Sequence, residues 1–261
     1  MKIQIQTIAI LLLFLVSNTG AQTQIYHTSW KKDGWVVAGG LGLLGIGYVV
    51  NSTVKKVTAA DINLLNKNDV PAFDRKAIDN NSKGAQKMSD VLLFSSMVLP
   101  LSAYLTHNSK NEYAAITVMG VEAAIYTGGF TSILKATVKR YRPYAYNTNL
   151  TLNERINAST RKSFPSGHVS TTAVASFFTA KVLTDLYPES KYKPLIWTVA
   201  AVIPAATGFL RYKAGKHFAS DVLAGYALGA GIGYLVPALH KSKNVSLGMS
   251  PTGGANLTWV F

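Results

Sequence analysis

Two histidines, one aspartate and a dense set of cations fall into three short segments of this chain. The first runs Lys135-Ala-Thr-Val-Lys139-Arg140-Tyr-Arg142-Pro143 at the end of a long apolar stretch. On a continuous helix, Lys135 and Arg142 would lie within about 20° of each other, with Lys139 close by. Two cations reaching in parallel from a helix end can hold a multiply charged anion. The same residues alone would also suit a plain basic flank on an apolar helix.

The second segment is Ser163-Phe164-Pro165-Ser166-Gly167-His168, leading into an apolar helix. Pro and Ser suit a first helical turn. Free N–H groups and the positive dipole end there favour phosphate. Gly167 lets an oxyanion approach the backbone, and His168 stands where it can deliver a proton. The third segment, Arg211-Tyr-Lys213-Ala-Gly215-Lys216-His217-Phe-Ala-Ser-Asp221, sets His217 and Asp221 at i and i+4. A carboxylate so placed can fix the imidazole tautomer and leave the other nitrogen free to attack or accept a proton. Arg211 is out of phase with His217 on one helix, so Gly215 is expected to mark a bend.

Six apolar stretches must position these groups: Trp35–Val50, Val91–Thr106, Tyr113–Leu134, Val169–Leu186, Leu195–Leu210 and Val222–Leu239. Only the third exceeds the roughly 20 residues that comfortably cross a bilayer. Each of the others is a short span or a buried bundle helix. Gly39-Gly40, Gly128-Gly129 and the four-residue series Gly225, Gly229, Gly233 suit close helix packing. The expected fold is all-α, a bundle of about six apolar helices. The polar stretch Asn51–Asp90 is expected to form short amphipathic helices. In the tail, 244–261, two alternating runs flank Ser250-Pro251-Thr252-Gly253-Gly254, which signals a β-hairpin and equally suits a frayed end.

The chain has 261 residues, 26 Lys plus Arg against 12 Asp plus Glu, and a net charge of +14. That excess points to an anionic partner. Cysteine is absent, which excludes disulfide scaffolds and thiolate chemistry. Residues 1–21 read as a secretory signal: Lys2, an apolar run Ile8–Val16, and small residues before Ala21. An uncleaved anchor is the alternative. The domain organisation is then a signal, one helical domain over 22–243, and the tail.

The pattern Lys-x6-Arg-Pro, Pro-Ser-Gly-His and Arg-x5-His-x3-Asp resembles the type 2 phosphatidic acid phosphatase family, which also includes acid phosphatases and vanadium haloperoxidases. The resemblance covers roughly residues 91–239. It implies that His217 attacks phosphorus, Asp221 orients it, and His168 protonates the leaving oxygen. Lys135, Arg142, Arg211, Ser166 and the Gly167 backbone would hold the phosphoryl oxygens. One position departs: Leu210 stands where the family usually has Ser, and one phosphate hydrogen bond is missing or replaced.

The expected activity is a phosphatase without metal or other cofactor, acting on a lipid phosphate or pyrophosphate at a membrane. No acidic cluster for a metal is evident in the sequence. A soluble periplasmic acid phosphatase is the second choice, and a haloperoxidase would normally need a longer chain. A nucleic-acid module would explain the charge but neither export nor the His and Asp arrangement; no nucleic-acid partner is expected. A non-catalytic scaffold would explain neither histidine. The expected location is the cell envelope, with the site facing out. Glu122, the only acid inside the longest apolar stretch, is expected to face the interior, paired or protonated.

Overall fold

The structure is a computed structural model describing residues 25–106, 110–241, 245–249 and 255–259. Its long helices are α1 (Trp30–Ser52), α2 (Lys83–Met97), α3 (Lys110–Val138), α4 (Gly167–Leu186), α5 (Lys193–Lys213) and α6 (Ala219–His240). Each contains or overlaps one expected apolar stretch. The stretch at 91–106 is not one unbroken α-helix. After Met97 it tightens to a 3₁₀ turn at Leu99–Leu101 and resumes at Ser102–Thr106. Pro100, which has no N–H to donate, sits in that turn. The export segment expected over 1–21 lies outside the described residues.

Helix α4 occupies the centre and packs on α2, α3, α5 and α6. Most of its length is buried, which explains why its apolar residues run round the helix. The main core gathers Met119, Ala123, Phe178, Val182, Leu186 and Ile196. The small residues do the packing expected of them. A Cβ on Gly225 would lie 2.5 Å from the Ser166 carbonyl oxygen, and one on Gly229 would lie 2.1 Å from that of Ser170. Backbone contact between α4 and α6 therefore needs hydrogen at these positions. Gly40, Gly47 and Gly129 bring α1 and α3 together in the same way.

Among the described residues, four segments are long and apolar enough to cross a membrane: Trp30–Ser52, Lys83–Thr106, Lys193–Lys213 and Ala219–His240. They expose large apolar side chains, among them Val49, Phe94, Phe209 and Leu223. Patches of this extent suit lipid rather than water. The protein is membrane-associated.

The polar stretch after α1 forms the expected short helices, Ala59–Asn63 and Ala72–Arg75, with a 3₁₀ turn between them. Thr58 and Asp61 cap the first reciprocally. In the tail, strand β1 (Val245–Met249) pairs antiparallel with β2 (Ala255–Trp259), Leu247 opposite Leu257. The hairpin reading holds.

Candidate active site

The three segments meet at one end of the bundle, but the first arrives differently from expectation. Helix α3 stops at Val138, and Lys139 has φ +50°. Lys135 and Arg142 therefore do not share a helix face. Arg142 instead caps the short helix Pro143–Tyr146 and turns back: its Nε donates to Ser159 O at 3.0 Å and its Nη1 to Lys216 O at 3.4 Å. Lys135 Nζ donates to Pro165 O at 2.5 Å and Lys162 O at 3.0 Å, tying α3 to the segment that opens α4. The two cations reach one site by separate routes, one along α3 and one through a loop.

Ser166 caps α4 without spending its hydroxyl on the helix. Its Oγ is buried and has no hydrogen-bond partner. Gly167 lies beneath Lys135, whose Cε would be 3.6 Å from a Cβ there. One residue on, His168 Nε2 is 2.8 Å from Asp90 Oδ1. Arg211 Nη1 reaches the same oxygen at 3.2 Å, while its Nε is buried and unpartnered.

Gly215 makes the expected bend. Its φ is +65°, and a Cβ would meet Asn80 O at 2.0 Å. Only glycine fits there. The bend leaves His217 ahead of α6, not on it, with Phe218 as the cap and Asp221 in the first turn. His217 Nδ1 is 3.6 Å from Asp221 Oδ2, too long for a hydrogen bond. The expected shared helix face is thus corrected to a loop residue facing a first-turn acid.

Asp221 has other partners. Its Oδ2 accepts from Ser163 Oγ at 2.5 Å and Phe218 N at 2.9 Å, and its Oδ1 accepts from Arg140 Nη1 at 2.6 Å. Arg140 also donates to the fully buried Asp74 at 2.7 Å and stacks on Phe218 at 4.2 Å. Asp74 in turn accepts from Ser220 N and Oγ. Arg140, Ser163, Asp74 and Asp90 were not singled out by spacing. Arg140 stood in a run of cations where any member could have been solvated. Both acids lie in a polar stretch remote from the motifs.

Burial, followed by the charges of Arg142, Lys135, Arg211 and His168, holds the His217 imidazole well below its usual range. It is neutral at pH 7. Burial likewise lowers Arg142. Two cavities are lined in part by segments that also carry site residues. One, of about 480 Å³, is lined by Lys55, Lys56, Arg161 and Lys162. The other, of about 320 Å³, is apolar and lies between Met97, Leu101, Ile116, Val174 and Phe178. It includes Thr171, about one turn along α4 from His168.

The family model of the PAP2 superfamily matches residues 96–244. Phosphatidylglycerophosphatase B of Bacillus subtilis is 40% identical over 83 residues, which are 30% of this chain and 39% of that protein. Lipid A 1-phosphatase of Rhizobium johnstonii is 27% identical over 171 residues, 63% of this chain and 66% of that protein. The chain thus spans between a third and two thirds of the length of these two relatives. A solved transmembrane PAP2 type phosphatidylglycerolphosphate phosphatase from Bacillus subtilis aligns with a TM-score of 0.47 and 20% identity, over 77% of this chain and 94% of that one.

Proposed function

The chain belongs to the PAP2 superfamily, and on that footing we propose that it hydrolyses the phosphate monoester or pyrophosphate of a lipid through a phosphohistidine. One observation carries the reading. Two histidines and three buried or half-buried cations, delivered by three separate segments, surround donor atoms that no protein acceptor satisfies: Ser166 Oγ and Arg211 Nε. Unpaired buried donors among cations suit a phosphoryl group.

In the first step, neutral His217 attacks phosphorus through Nε2, since Nδ1 faces Asp221. The bond from phosphorus to the leaving oxygen breaks, and His168 supplies the proton that this oxygen takes. Burial and the Arg211 charge lower His168 to about 4, so it carries that proton only once the phosphoryl dianion offsets the nearby cations. Asp221 accepts from Nδ1 as the ring becomes cationic, closing the 3.6 Å gap. In the second step, His168 takes a proton from water, which attacks phosphorus and releases His217. Lys135, Arg142, Arg211, Ser166 and the Gly167 N–H hold the equatorial oxygens as charge builds on them. These cations fill the role that Mg²⁺ fills in other phosphoryl-transfer sites. With Leu210 in place of the family's usual Ser, the basic cavity at Lys55, Lys56, Arg161 and Lys162 offers a further anion contact.

The apolar cavity between α3 and α4, which comes nearest to His168 along α4 at Thr171, supports a substrate that keeps a hydrocarbon tail. The names of the two relatives point the same way. The test is phosphate release from a panel of purified lipid phosphates in detergent micelles, set against soluble phosphomonoesters. A lipid phosphate should have the higher kcat/KM by at least about tenfold. Equal rates on soluble esters would favour a non-specific acid phosphatase. No release from any of them would refute the activity.

A further inference from the structure

Far from the mouth, three ionisable side chains from three helices meet in the interior. Asp33 begins α1, Glu122 is mid-way along α3, and His240 ends α6. All three are more than nine-tenths buried. Asp33 Oδ1, both Glu122 oxygens and His240 Nε2 have no hydrogen-bond partner. Nineteen residues of α6 separate Asp221 from His240, about 28 Å of helix, so this cluster is not part of the active site.

We infer that Asp33, Glu122 and His240 form a binding site for a divalent transition cation of the zinc class. His240 Nδ1 lies 2.9 Å from the Val236 carbonyl oxygen. A carbonyl only accepts, so Nδ1 carries a proton and Nε2 is the ring nitrogen that faces the two carboxylates, where its lone pair would meet a cation. That is how a metal-bound imidazole is held by its outer partner. Similarly, Asp33 Oδ2 accepts from Ser29 N at 2.6 Å, which orients the carboxylate and leaves Oδ1 for a ligand.

The spacing fits a metal better than an ion pair. His240 Nε2 is 3.4 Å from Asp33 Oδ1 and 3.4 Å from Glu122 Oε2. A charge-assisted hydrogen bond would close to about 2.7–2.9 Å. Ligand atoms about 2.0–2.1 Å from a tetrahedral cation stand about 3.3–3.4 Å apart. One ligand atom from each residue can be chosen so that all lie within 4.8 Å of one another. One nitrogen and two carboxylate oxygens suit zinc more than magnesium or calcium. Two carboxylates and a neutral imidazole would balance a doubly charged cation, with the Lys32 charge acting on Glu122 from beyond ion-pair contact. Such a cation would pin α1 to α3 and α6 where these helices lie in an apolar surround.

The test uses the untagged full chain in detergent, stripped with EDTA, desalted, and given Zn²⁺ or Co²⁺ alone. After size exclusion, one equivalent of Zn²⁺ should remain bound. The Co²⁺ form should show the visible absorption of four-coordinate cobalt. Asp33→Asn, Glu122→Gln and His240→Ala should each weaken binding by more than the roughly 10–100-fold typical of outer-partner changes. The parent measurement needs no variant to fold. Less than about a tenth of an equivalent on the parent, or undiminished binding in all three variants, would overturn the site. Phosphate release from the same samples reports on the mouth separately.

Discussion

Around Asp221 every buried carboxylate oxygen has its donors, and the atoms left over are donors. Around Glu122 it is the acceptors that are left over. The two regions are joined by α3 and α6 and built from the same apolar stretches. What differs is the sign of the unmet polarity. A buried donor without an acceptor costs about as much as a buried acceptor without a donor, so each region is built for a partner of opposite charge. The mouth suits a phosphoryl group and the far cluster a cation. Net charge could not reveal this, because a total of +14 averages a cation-rich mouth with an acid-rich interior.

The sharpest way to separate the regions is His217→Ala. Phosphoenzyme formation should vanish and phosphate release should fall by roughly 10³-fold or more, while Zn²⁺ binding at the far cluster is untouched. An acid-labile phosphoenzyme in this variant would mean that another group attacks.

Next in size is Arg140→Ala. It strips a hydrogen-bonded cation from Asp74 and Asp221, both fully buried. Breaking such a pair costs about 3–5 kcal/mol, so the melting temperature in detergent should drop steeply and kcat should fall with it. An exposed lysine changed to alanine, such as Lys31, should do neither. Unchanged melting of Arg140→Ala would show that the mouth's acids are held by Ser163, Ser220 and the backbone alone.

Chelation should divide the molecule. At a temperature well below melting, EDTA should leave phosphate release intact, and vanadate should still inhibit by mimicking the pentacoordinate phosphoryl group. The same EDTA should lower the melting temperature by about 5–10 °C if zinc had been present at 100 times its Kd, about 2.7 kcal/mol of stabilisation. Loss of activity in EDTA restored by Mg²⁺ would refute the mechanism at the mouth.

The smallest effect concerns acid. His217 is buried and its folded pKa lies well below 6.5. The unfolded chain therefore binds a proton near pH 6.5 that the folded chain binds only at much lower pH. Its contribution to stability is complete above that range and is lost as pH falls below it, by up to about 1.4 kcal/mol per unit. Melting of the parent between pH 7 and pH 5 should fall more steeply than that of His217→Asn. Parallel curves would mean that His217 is solvated.

Much of this was legible beforehand because it is local. Helix period, the glycine series, the bend at Gly215 and the motif residues are each set by neighbours in sequence. The interior position expected of Glu122 also holds, since a lone acid in an apolar helix has few other places to go. What the sequence hid was long-range. Asp74 and Arg140 meet across 66 residues, and Asp33 meets His240 across the whole domain. Neither acid has a spacing signature. For that reason no acidic cluster was expected, and the structure corrects this. Lys135 and Arg142 depart from a shared helix face for a subtler cause. Seven residues imply one helix face only if the helix continues, and Lys139 at positive φ ends it.

The glycine seam of α6 has one more implication, for how the helices find their register. Lipid tails are as apolar as the helices, so shape must align α4 and α6 during assembly. A repeat of four alone would tolerate a slide by one turn, since one glycine would replace the next. The seam is bounded, however: its buried positions run Asp221, Gly225, Gly229, Gly233, Pro237. A slide one way would carry the Asp221 carboxylate away from Arg140 and into Gly225's place against the Ser166 carbonyl, where acceptor meets acceptor. A slide the other way would press the Pro237 ring on the backbone that Gly233 now clears. The smooth middle of the seam lets the helices approach, and its two ends count the turns.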